Sequence, residues 1–210
     1  MLAHHPSTAR FISSKLVRRF VADEPPPELV DAASQTFLRT GGDIREVLRS
    51  IFNHPRFFSP EFHQAKVKKP LELVASSPRS VAAEVGPSRQ LVNLMARMGE
   101  SLYLCQDPTG YPDVASAWIN TNTLLTRLNF ALVLAASRIP QVRVDLESAA
   151  PLFEQLKLPE PTEGQLGQTR SLLNQASLEG SRRSRGSNVP LTEPVIKAAF
   201  MLGSPQFQKR

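Results

Sequence analysis

Residue types that do chemistry are few in this chain, and they are scattered. The single cysteine, Cys105, lies in a segment broken by Pro108, Gly110 and Pro112. A cysteine nucleophile needs a base and an electropositive setting to ionise near neutral pH. None of His4, His5, His54 and His63 is tied to it by a motif, so a packed thiol is the simpler reading. His54 and His63 are not spaced as a helical metal-binding pair, and His54 precedes Pro55 where a cap would stand. The spacing therefore implies no metal and no cofactor. G-x-S-x-G, P-loop and G-x-G-x-x-G patterns are absent, which removes the commonest hydrolase and nucleotide fingerprints.

The remaining polar candidates are Lys66, Lys68, Glu72, Tyr111 and Asn120. Lysines placed together act as point charges for an anion, although a solvated helix entry explains Lys66, Lys68, Lys69 and Glu72 more simply. Tyr103 and Tyr111 bracket a loop that forms either a pocket wall or a lid on the core. Asn120, Thr121, Asn122 and Thr123 read as a polar stretch in an otherwise apolar helix, where buried amides and hydroxyls need partners. The densest basic run, Arg182-Arg183-Ser184-Arg185, sits in glycine and serine without an aromatic neighbour. A flexible basic loop is favoured there over a phosphate-binding one.

These side chains hang on a punctuated chain. There are 210 residues, 18 prolines against 10 glycines, and 41% hydrophobic residues. That composition affords a core but no membrane span, since no stretch approaches 18 or so consecutive apolar residues. The net charge is +6, unevenly spread: residues 1–69 carry 11 basic and 7 acidic side chains, residues 70–180 carry 8 and 11, and residues 181–210 carry 6 and 1. A basic pI of about 9.9 permits attraction to an anionic polymer. Without interleaved aromatics, nucleic acid is a disfavoured partner. Residues 1–20 lack an uninterrupted apolar run, so they form no signal peptide.

Apolar residues recur at helical spacing between the breaks. Ile12, Leu16, Val17, Phe20 and Val21 form one stripe. Leu29, Val30, Ala33, Phe37 and Leu38 form another, ending at Gly41-Gly42. Asp43 caps the next helix, with Glu46 three residues on. Further helices follow Lys69-Pro70 and Gly86-Pro87-Ser88. A long apolar helix is expected from Asp113, with Trp118, Thr121, Leu125, Leu128 and Leu132 inward, ending at Pro140. Asp145 opens a short helix with Leu152, Phe153 and Leu156; Thr162 with Gln165 and then Thr192 open the last two. The expected fold is all-α, an irregular bundle of eight to ten helices around a central apolar helix near 113–138. Residues 1–176 form a helical core, 177–191 a flexible basic Gly/Ser loop, and 192–210 a C-terminal helix packing back on that core. Phe20, Phe37, Phe52, Trp118, Leu125, Leu128 and Leu132 are expected to be buried.

Several strings taken together carry a family resemblance. They are His5-Pro6-Ser7-Thr8-Ala9-Arg10-Phe11-Ile12 with Lys15-Leu16-Val17-Arg18-Arg19-Phe20-Val21, Asp43-Ile44-Arg45, Lys66-Val67-Lys68-Lys69-Pro70-Leu71-Glu72, Gly110-Tyr111-Pro112, Trp118-Ile119-Asn120-Thr121 running into Leu124-Leu125-Thr126-Arg127-Leu128-Asn129-Phe130, and Ser204-Pro205-Gln206-Phe207. In this order they resemble the bacterial family called domain of unknown function 1800, and specifically the C-terminal portion of its longer members. The resemblance implies a fragment of a larger protein whose full-length relatives are exported. It assigns no catalytic residue. The leading expectation is a non-catalytic scaffold or interaction module, meeting a protein partner or itself through exposed apolar surface. One alternative is part of a hydrolase-like enzyme completed by an absent N-terminal half. The other is a weak binder of anionic polymer.

Overall fold

The computed structural model describes residues 2–146, 158, 160–180 and 192–210, the side chains within 173–180 excepted. It is predominantly helical, with one small two-stranded sheet among the described residues. Two compact units divide the chain. The first comprises 1–67, 112–115 and 209–210, and the second 68–111 and 116–208.

In the first unit, α1 (Pro6–Phe20), α2 (Pro27–Arg39) and α3 (Ile44–Phe52) pack together. Their starts follow from local chemistry. Pro6 and Pro27 occupy first-turn positions, where a missing N–H costs nothing. The Asp43 carboxylate accepts from the Arg45 and Glu46 amides, satisfying two orphan donors of α3. Gly41 and Gly42 turn the chain at φ +66° and +93°. A Cβ on Gly42 would stand 3.2 Å from the Phe37 ring, so glycine is required there twice over. Ala9, Val17, Leu29, Ala33, Phe37, Val47 and Ile51 form the core of this unit. Two short 3₁₀ turns, Pro55–Phe58 and Pro60–Phe62, follow α3. His54 caps the first of them: its Nδ1 accepts from the Arg56 amide, just as His5 Nδ1 accepts from Ser7 in α1.

The second unit contains α4 (Pro70–Ser80), β1 (Glu84–Val85), α5 (Arg89–Arg97), α6 (Thr121–Ala135), β2 (Val142–Arg143), α7 (Glu163–Gly180), α8 (Glu193–Gly203) and α9 (Pro205–Gln208). β1 and β2 pair antiparallel, Glu84 opposite Arg143 and Val85 opposite Val142. The apolar helix is the centre of this unit. Phe130, Ala131 and Leu134 of α6 join Leu73, Leu94, Met95 and Met98 in one cluster, while Leu132, Ala135 and Ala136 join Val195, Ile196 and Ala199 of α8 in another. Burying each large aliphatic there contributes about 1.5–3 kcal/mol before entropy is charged.

Two expectations need correction. The apolar helix begins at Thr121, not near Asp113. Asn120 caps it, and the Asn120–Thr123 stretch is its capping box, not a polar patch inside it. The inward face also differs from the expected one. Thr123, Arg127, Phe130, Ala131 and Leu134 are buried, while Leu125 is 58% and Leu128 38% exposed. Phe20 and Phe52 are also partly exposed; their rings meet edge to face at 5.2 Å on the surface of the first unit. Phe37, Trp118 and Leu132 are buried as expected. The short helix expected after Asp145 and the basic run Arg182, Arg183 and Arg185 lie outside the described residues.

Candidate functional site

Lys66 belongs to the first unit. Its ammonium donates to Asp23 Oδ1 and, at 3.2 Å, to the Asp113 carbonyl. The other oxygen of Asp23 accepts from the Ala115 amide at 2.6 Å. Asp23 thus ties the Lys66 side chain to the 112–115 segment of the same unit. The lysine charge is neutralised in place.

Lys68, Glu72, Tyr111 and Asn120 belong to the second unit, and each has a defined task. Lys68 Nζ stands 3.7 Å above the centre of the Phe207 ring. Burial lowers its pKa from 10.5 to about 8, partly opposed by the Glu72 charge. Glu72 Oε2 accepts from the Lys69 amide at 3.0 Å, the carboxylate half of a capping box. A lysine side chain has no acceptor with which to return the bond. The Tyr111 hydroxyl donates to the Ser101 carbonyl at 2.7 Å, and its ring lies 6.0 Å from that of Trp118. Asn120 Oδ1 accepts from the Thr123 amide, and Thr123 Oγ1 in turn donates to the Trp118 carbonyl. Lys69 Nζ stands 5.9 Å from the Trp118 ring. Trp118 therefore gathers the tyrosine, the α6 cap and the α4 entry into one neighbourhood.

The most consequential polar residue was not among the candidates. Arg127, midway along α6, is fully buried. Its Nη1 donates to Gln208 Oε1 at 2.9 Å and its Nη2 to the Lys68 carbonyl at 2.8 Å. Gln208 passes the network on, donating from Nε2 to the Leu202 carbonyl while its own carbonyl accepts from the Lys68 amide. Glu100, also buried, faces Arg127 electrostatically and accepts from the Leu71 amide at 2.8 Å. Desolvation lowers the guanidinium pKa, and the Glu100 charge opposes that. One signal for this was in the sequence: a lone arginine inside the apolar run from Leu124 to Ala136. A charge there must be paired or expelled.

This arrangement staples secondary structure. Glu72 and Glu100 both accept from amides at the start of α4, where carboxylates also oppose the helix dipole favourably. Arg127 clasps the Lys68 backbone and Gln208 of α9 to α6. No group of three or more metal-ligating side chains occurs among the described residues. No helix among them is long and apolar enough to cross a membrane.

A family model described as "Protein of unknown function (DUF1800)" matches residues 1–209. The chain belongs to the DUF1800 family. No curated protein and no solved structure matches it. The match spans both units of this DUF1800 chain, so the Arg127 clasp and the α6 capping box lie within the matched span.

A second feature of the DUF1800 chain is apolar. Leu124, Leu125 and Leu128 run along the outer face of α6, and Leu172 of α7 is 52% exposed. Beside them lies a recess of about 510 Å³ whose lining includes Leu128, Leu132, Ala199 and Phe200. Glu160 also lines it and is paired with Lys197 at 2.7 Å. Apolar side chains bordered by polar ones are what contact surfaces are made of.

Proposed function

We propose that this DUF1800 chain is a non-catalytic helical interaction module and that the leucine face of α6 is its contact surface. The observation carrying this reading is the exposed stripe Leu124, Leu125 and Leu128 beside the apolar recess. Four of the polar candidates also support it, being engaged in holding the fold: Lys66 on Asp23, Glu72 on Lys69, Tyr111 on Ser101 and Asn120 on Thr123. The occupant is a second copy of the chain. The Leu124–Leu125 ridge and the recess adjoin on one helix, and a two-fold axis sets each ridge into the other copy's recess. Sedimentation equilibrium over a range of concentrations tests this. The wild type dimerises reversibly, and L124E/L125E, which alters only exposed positions, stays monomeric with unchanged helicity. A wild type that is monomeric at every concentration overturns the proposal.

One observation favours the hydrolase-like alternative, namely the half-buried Lys68 amine with its lowered pKa. That reading requires turnover of an ester or amide substrate that K68M abolishes.

A further inference from the structure

We propose that the recess between α5 and the turn before β2 binds a short linear polyphosphate-type anion through Arg89 and Arg97. This recess, of about 730 Å³, lies in the second unit, and no acidic residue is among those lining it. Arg89, Asn93 and Arg97 line it from α5. Their i, i+4, i+8 spacing puts them on one face, with the two arginines about 12 Å apart along the helix axis. Neither arginine forms an ion pair among the described residues. Both are exposed, and guanidinium groups meet tetrahedral oxyanions through paired N–H donors.

The start of α5 reinforces the charge. No acid occupies its first turn, and the N-cap residue Ser88 makes no side-chain capping bond. The Ser88 hydroxyl oxygen is buried and has no hydrogen-bond partner in the described structure. The first amides of α5 are therefore left without the side-chain acceptor that a serine cap ordinarily supplies. The opposite wall is firmly built. The Gly86 amide donates to the Gln141 carbonyl at 2.7 Å, and Gln141 holds a left-handed φ of +64° between Pro140 and β2. A Cβ on Gly86 would stand 3.3 Å from Gln141 Oε1, so glycine admits the Gln141 side chain against this wall. The recess thus combines two cations without carboxylate partners, amide side chains from Asn93 and Gln141, and one end of a helix. Two charges two turns apart suit an anion with several linked phosphate groups better than a single phosphate, because the flexible arginine arms close the remaining gap.

Isothermal titration with inorganic tripolyphosphate tests the proposal on the full chain, with orthophosphate as a second arm. The expected result is one site for tripolyphosphate, with affinity at least tenfold above orthophosphate. R89Q/R97Q weakens it at least tenfold. R45Q/R170Q, which removes two exposed arginines outside the recess, changes it less than twofold. The substituted positions are all exposed, and an unchanged denaturation midpoint shows that each variant folds. Absence of tripolyphosphate binding overturns the proposal. Equal loss in both double variants also does so, since binding would then follow net charge. Equal affinity for the two anions overturns the two-point attachment.

Discussion

Substituting Arg127 with methionine tests whether the buried clasp holds the second unit together. Methionine keeps much of the side-chain volume but removes both donors. The Lys68 carbonyl and Gln208 Oε1 then lose the partners they have at 2.8 and 2.9 Å. Each buried acceptor left unpaired costs about 1–3 kcal/mol. Against that, the variant no longer desolvates a guanidinium, a term that in some proteins makes apolar replacement neutral or better. With two acceptors stranded and Glu100 deprived of its facing charge, the loss should dominate, at roughly 2–4 kcal/mol net. The chain has a single tryptophan, Trp118, which lies in the same unit. Urea denaturation followed by its fluorescence therefore reports the unit in question. A cycle with Q208L isolates the side-chain pair, and a coupling of about 1.5–3 kcal/mol is expected for a hydrogen bond to a charged donor. If R127M is as stable as the wild type, or more stable, desolvation outweighs the clasp and the reasoning fails.

Two other perturbations follow from the same structure. Because Lys68 titrates near 8 when folded and near 10.5 otherwise, the unfolded chain holds the extra proton between those values. Stability therefore rises with pH from about 8 to 10.5, and K68M flattens that slope in denaturation curves recorded across the window; a wild-type slope of opposite sign contradicts the burial argument. In the first unit, D43A strands the Arg45 and Glu46 amides of α3 and should cost about 1 kcal/mol, while D43S keeps most of it. Thermal melts by circular dichroism compare the two, and equal losses would show that the side-chain cap contributes nothing.

Local chemistry made much of the fold legible. Pro6, Pro27 and Asp43 each mark a helix start that depends only on residues within one turn. The Gly41-Gly42 exit and the histidine cap before Pro55 are equally local. The start of α6 is the instructive failure. Asp113 looks like a cap, yet Asn120 and Thr123 form the reciprocal pair that opens the helix, while Asp113 lends its carbonyl to Lys66. The inward face is a separate failure. Leu125 and Leu128 fit an apolar stripe as well as Phe130 and Leu134 do, and periodicity alone ranks them equally.

The candidate site was legible only in part. The lysines around Pro70 stood out by charge, and Glu72 by its capping distance. Arg127 and Gln208 lie far apart in the chain, and nothing local links them. Their meeting depends on α9 reaching the same side of α6 as the Lys68 backbone.

Composition and spacing by themselves determined that this chain is helical and where most of its helices begin, because caps, proline breaks and apolar periods act over a few residues; the family resemblance rested instead on an ordered set of short strings from His5 to Phe207. Only the tertiary structure decided which face of α6 is buried, that Arg127 is the pivot of the second unit, and that a row of leucines is left in solvent. Those outcomes depend on which distant segments supply acceptors for a buried guanidinium. A side chain that must be paired in the interior turns its helix toward its partners, and Leu125, about 200° round the helix from Arg127, is carried outward with it.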